Sequence, residues 1–202
     1  PPGEAFSYTN SGYNLAAVLV SRVAGVPFAK FTRTRLFEPL GMSRTSWRDD
    51  FRRVVKGRAI AYGTEGQGFE TVMPFENVHG NGGLLTTVGD LLRWNENFVN
   101  GTVGGREFVA EMETPGRLNS GRAIDYGLGL YVGRYKGLKQ VYHSGATAGY
   151  RAHLVRFPDE HVSVGVLCNV GSGNATAYAY QVADVLLEGL LKPDAAPSMV
   201  AL

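Results

Sequence analysis

Two short stretches at opposite ends of the chain hold residue types that can move protons and grip a polar substrate. The first is Ser7-Tyr8-Thr9-Asn10-Ser11-Gly12-Tyr13, the second Tyr142-His143-Ser144-Gly145-Ala146-Thr147-Ala148-Gly149-Tyr150. A phenol titrates near pH 10, so Tyr8 is a proton donor at neutrality. It becomes a proton shuttle only where a neighbouring cation lowers that value. The bland alternative for Tyr8 is a core tyrosine with a satisfied hydroxyl. Asn10 can present its amide to a ligand or cap a helix, since Asn suits both. The glycines of the second stretch lie between two runs that read as strands, where backbone can approach a ligand closely. His79, beside Gly80-Asn81-Gly82, suits a cleft rim or a surface loop, whereas His153 and His161 fall in strand-like runs and read as structural. No histidine pair has helical ligand spacing and no cysteine cluster exists, so no metal or other cofactor is expected.

The elements that must position these residues follow from the hydrophobic period. Thr9, Asn10 and Ser11 are all good N-cap types. Leu15, Val18, Leu19 and Val23 then recur at helical spacing and predict an inward face, with Gly25 as the stop. A second helix is expected over residues 27–36, with Pro27 in its first turn and Phe28, Phe31, Leu36 and Phe37 as its apolar face. Residues 43–78 have little periodicity and read as a long irregular connection, of the kind that often serves function. Thr86 or Thr87 can cap a helix over about 88–97, with Leu91, Leu92 and Phe98 inward, and residues 108–113 predict a shorter one. The last third changes period. Residues 126–134, 138–143, 150–157 and 161–169 predict an antiparallel meander, with Pro158-Asp159-Glu160 as a hairpin signal. Residues 175–191 predict a helix with Ala179, Val182, Val185, Leu186 and Leu190 on one face. Helices followed by strands indicate an α+β fold, and a cleft between the helical part and the sheet edge is the default site. The expected division is one domain over 1–191, with a helical lobe to about 120 and the sheet and last helix after it. Residues 192–202 are expected to form a tail or linker.

Composition narrows the classes of function. The chain has 202 residues, 44% hydrophobic and 19% charged, which fits a folded globular domain. A net charge of +2 leaves no electrostatic footprint for nucleic acid, and the basic run 44–58 is interrupted by Asp49 and Asp50. No apolar run approaches the roughly 18 residues that cross a bilayer. The one cysteine, Cys168, lies in an apolar run and reads as a buried structural thiol. The first residues, Pro1-Pro2-Gly3-Glu4, read as an internal start.

Four ordered motifs together resemble one family. The segment from Pro2 to Tyr13 resembles the Tyr-x-Asn segment of the serine β-lactamase and penicillin-binding-protein superfamily, in its class C β-lactamase-related branch of esterases and D-amino-acid peptidases. Phe37-Glu38-Pro39-Leu40-Gly41-Met42 resembles the Phe-x-Pro-Leu-Gly-Met that ends a helix there. Gly82-Gly83-Leu84-Leu85-Thr86-Thr87 with Asp90-Leu91 resembles its Gly-Gly-Leu-x-Ser-Thr-x-x-Asp-Leu helix entry. His143-Ser144-Gly145 resembles the His-x-Gly variant of its Lys-Thr-Gly strand. The resemblance implies a β-lactamase/transpeptidase-like fold and a small-molecule or peptide acyl substrate. It implies that Tyr8 relays protons and that Asn10 faces the substrate or a catalytic lysine. It also implies that His143 lines the cleft, with Ser144, Gly145, Thr147 and His79 beside the substrate, and that Ala146 offers a backbone N–H to the oxyanion. Histidine in place of lysine weakens a permanent carboxylate anchor, which tilts the expected substrate from β-lactams toward esters, amides or peptides. A periplasmic or secreted location is typical of the family, and a cytoplasmic one is compatible with the sequence.

The family's nucleophile motif, Ser-x-x-Lys, has no counterpart in these residues. Three positions before Lys30, Lys56, Lys136, Lys139 and Lys192 stand Pro27, Arg53, Gly133, Lys136 and Gly189. The expectation is therefore a serine hydrolase represented by its C-terminal part, inactive by itself and completed by a preceding segment. The alternative is a non-catalytic relative that binds or senses a ligand in the same cleft.

Overall fold

The computed structural model describes residues 1–75 and 77–192; the expected tail therefore lies outside the described residues apart from Lys192, whose N–H bonds back to Lys136 at 2.9 Å. Five α-helices are α1 (Asn10–Ala24), α2 (Phe28–Thr32), α3 (Val88–Asn100), α4 (Gly105–Met112) and α5 (Ala175–Leu186). The first four strands are β1 (Ser46–Trp47), β2 (Tyr62–Glu65), β3 (Gly68–Thr71) and β4 (Leu84–Leu85). The last four, β5 (Tyr131–Tyr135), β6 (Leu138–Thr147), β7 (Tyr150–Phe157) and β8 (Val162–Cys168), form an antiparallel meander in that order. The α+β architecture expected from the sequence is present.

Helix starts follow their caps. The Thr9 hydroxyl accepts from Ser11 N–H at 3.2 Å, Thr87 from Asp90 N–H at 3.2 Å, and the Asn174 side chain from Ala177 N–H at 3.0 Å. Gly25 and Gly101 end α1 and α3 with φ of 65° each, the left-handed stop that glycine adopts without strain. The predicted second helix is shorter: Pro27 precedes α2 as its cap residue, and residues 33–37 form a π-helical turn. That turn delivers Phe37 and Met42 into the interior.

The sheet separates two layers. Residues alternate faces along each strand, so Val141 and His143 of β6 share a face with Leu154 and Arg156 of β7. Helix α3 covers this face: the Arg156 guanidinium lies 4.5 Å from the Phe98 ring centre and pairs with Glu113. Helix α5 covers the other face, where Val155, Phe157 and Val164 pack on Ala179, Ala183 and Leu187.

Three expectations from periodicity need correction. On α5 the buried residues are Ala175, Ala179 and Ala183, with Leu187 just beyond; alanine lets the helix lie flat on the sheet. Val182, Val185, Leu186 and Leu190 point outward, Val185 being 74% exposed. On α1 the stripe Leu15, Val18, Leu19, Val23 is likewise exposed, and only Ala17 is buried. Both stripes lack a partner element among the described residues. Cys168 is half-buried, not enclosed.

Aromatic stacking continues through the sheet. Tyr135 and Tyr180 stack at 4.2 Å, and His153, 2% exposed, stacks on Tyr142 at 5.8 Å. Burial first, then the neighbouring Tyr142, pushes the Tyr180 phenol up to about 12. A folded-state value above the ordinary phenol value near 10 gives stability that is complete below about pH 10 and lost as pH rises toward 12. Phenolate absorbance should therefore rise in two phases, the later one coinciding with loss of circular dichroism near pH 12. One phase in the ordinary phenol range, with the dichroism intact, would contradict this.

Candidate functional site

Tyr8 sits one residue before the cap of α1, at the mouth of the gap between that helix and β6. Its ring is 46% exposed and lies 6.1 Å from the His143 ring and 5.9 Å, edge-on, from Tyr126. Burial first, then Tyr131 and Tyr13, raises the Tyr8 phenol above its ordinary value. In these surroundings it is a proton donor, as expected for a phenol without a cation beside it. Asn10 is the first residue of α1 and exposed. The cap role weighed for it from the sequence belongs to Thr9.

The glycine-bearing stretch after His143 continues the strand expected over 138–143. β6 runs on to Thr147 and pairs with β7 through to Thr147 opposite Tyr150. β5 stops at Tyr131, opposite Tyr142, so residues 143–146 run beyond the end of β5 on the side toward Tyr8. The direction of the edge N–H groups follows from ladder parity. Tyr135 and Leu138 flank one two-residue turn and Thr147 and Tyr150 flank another, and such flanking pairs exchange both hydrogen bonds. Leu138, Gln140 and Tyr142 thus aim their N–H groups toward β5. By the same alternation Ser144 and Ala146 aim theirs past its end, into the open gap. The Ser144 side chain leaves the strand on the face opposite His143.

Glycine is needed at one of the two close-approach positions proposed from the sequence. A Cβ at Gly149 would lie 2.5 Å from the Tyr62 carbonyl oxygen, and its N–H bonds to Val72 at 3.0 Å. This contact docks the β6–β7 turn on the β2–β3 hairpin, the main ordered piece of the long connection. A Cβ at Gly145 would meet nothing closer than Ala152 Cβ at 3.7 Å, an ordinary contact. Thr147 is half-buried at the end of the edge.

His143 has both ring nitrogens engaged. Nδ1 lies 2.6 Å from the Ser144 carbonyl oxygen, which can only accept, so Nδ1 carries a proton. Nε2 lies 3.3 Å from the Tyr126 hydroxyl. Tyr126 is 8% exposed, and burial first, then the phenols around it, pushes its hydroxyl well above the usual range. Tyr131 adds a tilted ring contact to His143 at 5.5 Å. Behind the imidazole a cavity of about 260 Å³ opens between α3 and the sheet, lined mainly by Trp94, Phe98, Met112, Leu128 and Leu154.

His79 is placed elsewhere in the helical part. It stacks on Phe28 at 5.5 Å and lies 5.6 Å from Trp47, and its ring contacts include none of Tyr8, Asn10 or His143. Tyr126 is the residue sequence reasoning missed; it reads there as the start of a strand. The signal available was an aromatic before Gly127-Leu128-Gly129. Those glycines turn the chain back, with Gly127 N–H bonded to Leu130 O at 2.8 Å, and lay Tyr126 on Tyr131 at 4.7 Å.

The remaining two motifs are structural. The Asp90 carboxylate, 1% exposed, accepts from Arg44 N–H at 2.8 Å, the Thr45 hydroxyl at 2.7 Å and Arg93 at 2.9 Å. The helix entry is thereby tied to the turn that follows Met42. No single helix among the described residues is long and apolar enough to cross a membrane.

Comparison with known proteins points to the same family. The beta-lactamase family profile matches residues 1–187. A D-aminopeptidase of Gluconobacter oxydans is 27% identical over 186 residues, covering 92% of this chain and 35% of that protein. A penicillin-binding protein of Bacillus subtilis is 30% identical over 185 residues, covering 83% of this chain and 40% of that protein. Among solved structures, the octameric penicillin-binding protein homologue from Pyrococcus abyssi superimposes with a TM-score of 0.81 at 28% identity, over 92% of this chain and 43% of that one. The chain thus spans well under half the length of these relatives. With a matched profile over nearly all its residues, the fold of those solved relatives and four motifs in order, this chain belongs to the beta-lactamase family.

Proposed function

We propose that the intact protein is a serine hydrolase that cleaves an ester, amide or peptide bond through an acyl-enzyme, of the D-aminopeptidase or penicillin-binding kind. The observation that carries this reading is the meeting of Tyr8 with the part of β6 that runs past β5 at His143, two segments from opposite ends of the chain. In the proposed reaction a serine hydroxyl, supplied by sequence outside these 202 residues, attacks the substrate carbonyl. Its Oγ–C bond forms, and the bond to the leaving group breaks. The serine proton passes by way of Tyr8 to the leaving group. Water then attacks the acyl-enzyme, returns a proton to the serine and releases the acid. The Ala146 N–H is the proposed donor to the tetrahedral oxyanion, where fixed donors contribute most. Asn10 and Ser144 are proposed substrate contacts, with Gly145 and Thr147 shaping the edge between them. The activating lysine comes from the same outside sequence as the serine. The exposed apolar stripes of α1 and α5 support completion of the fold by further sequence, since a monomer seldom leaves such faces uncovered.

A serine-reactive acylating probe tests the reading. The intact protein should be labelled at one serine that precedes a lysine by three positions, and residues 1–202 alone should not be labelled. Stoichiometric labelling of the isolated chain within the cleft, or an intact protein that binds substrate analogues without being acylated, would sink it. The second outcome would identify a non-catalytic binding module. With intact protein, short-chain p-nitrophenyl esters should be turned over faster than a cephalosporin. The reverse order would overturn the reading that histidine at 143 disfavours carboxylate-bearing rings.

A further inference from the structure

We propose that Tyr126 is a positioning residue for the reaction, holding the His143 imidazole as its Nδ1–H tautomer with the ring fixed beside Tyr8. The first part of the argument is donor bookkeeping. The Ser144 carbonyl requires a proton on Nδ1, so in the neutral ring Nε2 is an acceptor, and the Tyr126 hydroxyl is placed on it at 3.3 Å. Tyr13 also pairs with that hydroxyl, and since a phenol carries one proton the proposed arrangement has Tyr13 donating to Tyr126 and Tyr126 donating to Nε2. The second part is the surroundings. The groups facing His143 are the phenols of Tyr8, Tyr126 and Tyr131, with His153 across the sheet. Among the described residues no carboxylate pairs with it. The nearby Asp125 acts on Tyr142.

The third part is rigidity. Tyr126 is buried, is pinned by the Gly127–Leu130 turn, and packs on Tyr131, Phe6 and Tyr8 at 4.7, 5.6 and 5.9 Å. A contact from His143 to the carbonyl of its own neighbour, Ser144, leaves the other end of the ring free to swing. The Tyr126 hydroxyl is a second anchor, on an element that cannot follow such a swing. The cleft wall therefore presents a fixed imidazole–phenol pair. That pair accommodates an acyl group without demanding a carboxylate on it, which deepens the hydrolase reading and rests on it for the kinetic arm only.

Nitrogen-15 NMR of His143 in the intact protein, assigned by loss of its signals in His143→Gln, tests the anchor independently of catalysis. Wild type should show a protonated Nδ1 and an unprotonated, hydrogen-bonded Nε2. In Tyr126→Phe the Nε2 resonance should move downfield, as an acceptor that has lost its donor. With fluorotyrosine at 126, a stronger donor of nearly the same shape, it should move upfield. In the kinetic arm, Tyr126→Phe should lower kcat about tenfold with KM changed less than twofold, the scale of one lost hydrogen bond to a held group. Opposite shifts in the two variants support the proposal even if Tyr126→Phe is poorly folded, because the fluorinated protein keeps the side chain. An Nε2 resonance that moves in neither variant overturns it. Shifts as expected with unchanged kcat overturn the role in the reaction while leaving the anchor.

Discussion

In the intact protein, Tyr8→Phe is expected to lower kcat by about 10²- to 10⁴-fold, the range lost with a positioned proton-transfer group. The substitution is clean because the Tyr8 ring does its packing through its edge and face, on Tyr126 and His143, and phenylalanine keeps both contacts. The ring is nearly half exposed, and its hydroxyl makes no hydrogen bond to a described residue, so little stability depends on the oxygen. A core tyrosine with a satisfied hydroxyl would behave in the opposite way, losing stability and sparing the rate. The pH profile adds a sign. Burial and the surrounding phenols hold Tyr8 above its ordinary value in this chain, so ionisation at neutrality requires an added cation. If the outside lysine supplies it, the limb of the kcat/KM profile that belongs to the phenol should disappear in Tyr8→Phe. Unchanged unfolding with a rate loss under threefold and an unaltered profile would remove Tyr8 from the mechanism.

Asp90→Ala is expected to cost about 2–5 kcal/mol of stability, through orphaned donors and not through lost charge. Its carboxylate is almost fully enclosed and serves three groups from two segments. Alanine leaves the Arg44 N–H and the Thr45 hydroxyl in a site closed to water, and each buried donor without a partner costs about 1–3 kcal/mol. Thr45 retains Thr86 at 2.8 Å, which limits its share. Arg93 is half exposed and can turn to solvent, so Arg93→Ala should cost no more than about 1 kcal/mol. Asp90→Asn keeps one acceptor oxygen and should fall between the two. Denaturant unfolding of the intact protein, read as a shift in midpoint at constant slope, orders the three variants. An Asp90→Ala loss below 1 kcal/mol, or an Arg93→Ala loss as large as that of Asp90→Ala, would show that the network is not what holds the two motifs together.

Local rules were legible where the cause is local. Thr87 marks the start of α3 and Gly25 the end of α1 because a side-chain oxygen and a left-handed glycine satisfy helix termini within a few residues. The meander and its Pro158-Asp159-Glu160 turn were visible because strand alternation and turn chemistry are also short-range. Facing directions were not. On α5 the face expected to be buried held Ala179 with Val182, Val185, Leu186 and Leu190, yet of these only Ala179 is buried, because the distance between helix and sheet sets the permitted side-chain size. No propensity carries that distance.

Residue identity by itself determined the chemistry available: a phenol at 8, an imidazole at 143, small residues along 144–149, and no serine three before any lysine. The order of motifs was enough to indicate the family and the α+β class, since each motif is a contiguous pattern. Tertiary structure decided which of these groups meet. It carried the strand expected over 138–143 on to Thr147, past the end of β5, and so left the Ser144 and Ala146 N–H groups aimed into a gap. It also put Tyr126 on His143 and His79 on Phe28 and Trp47. Both placements depend on contacts between different elements, whose geometry is fixed by packing and leaves no periodic mark in the sequence.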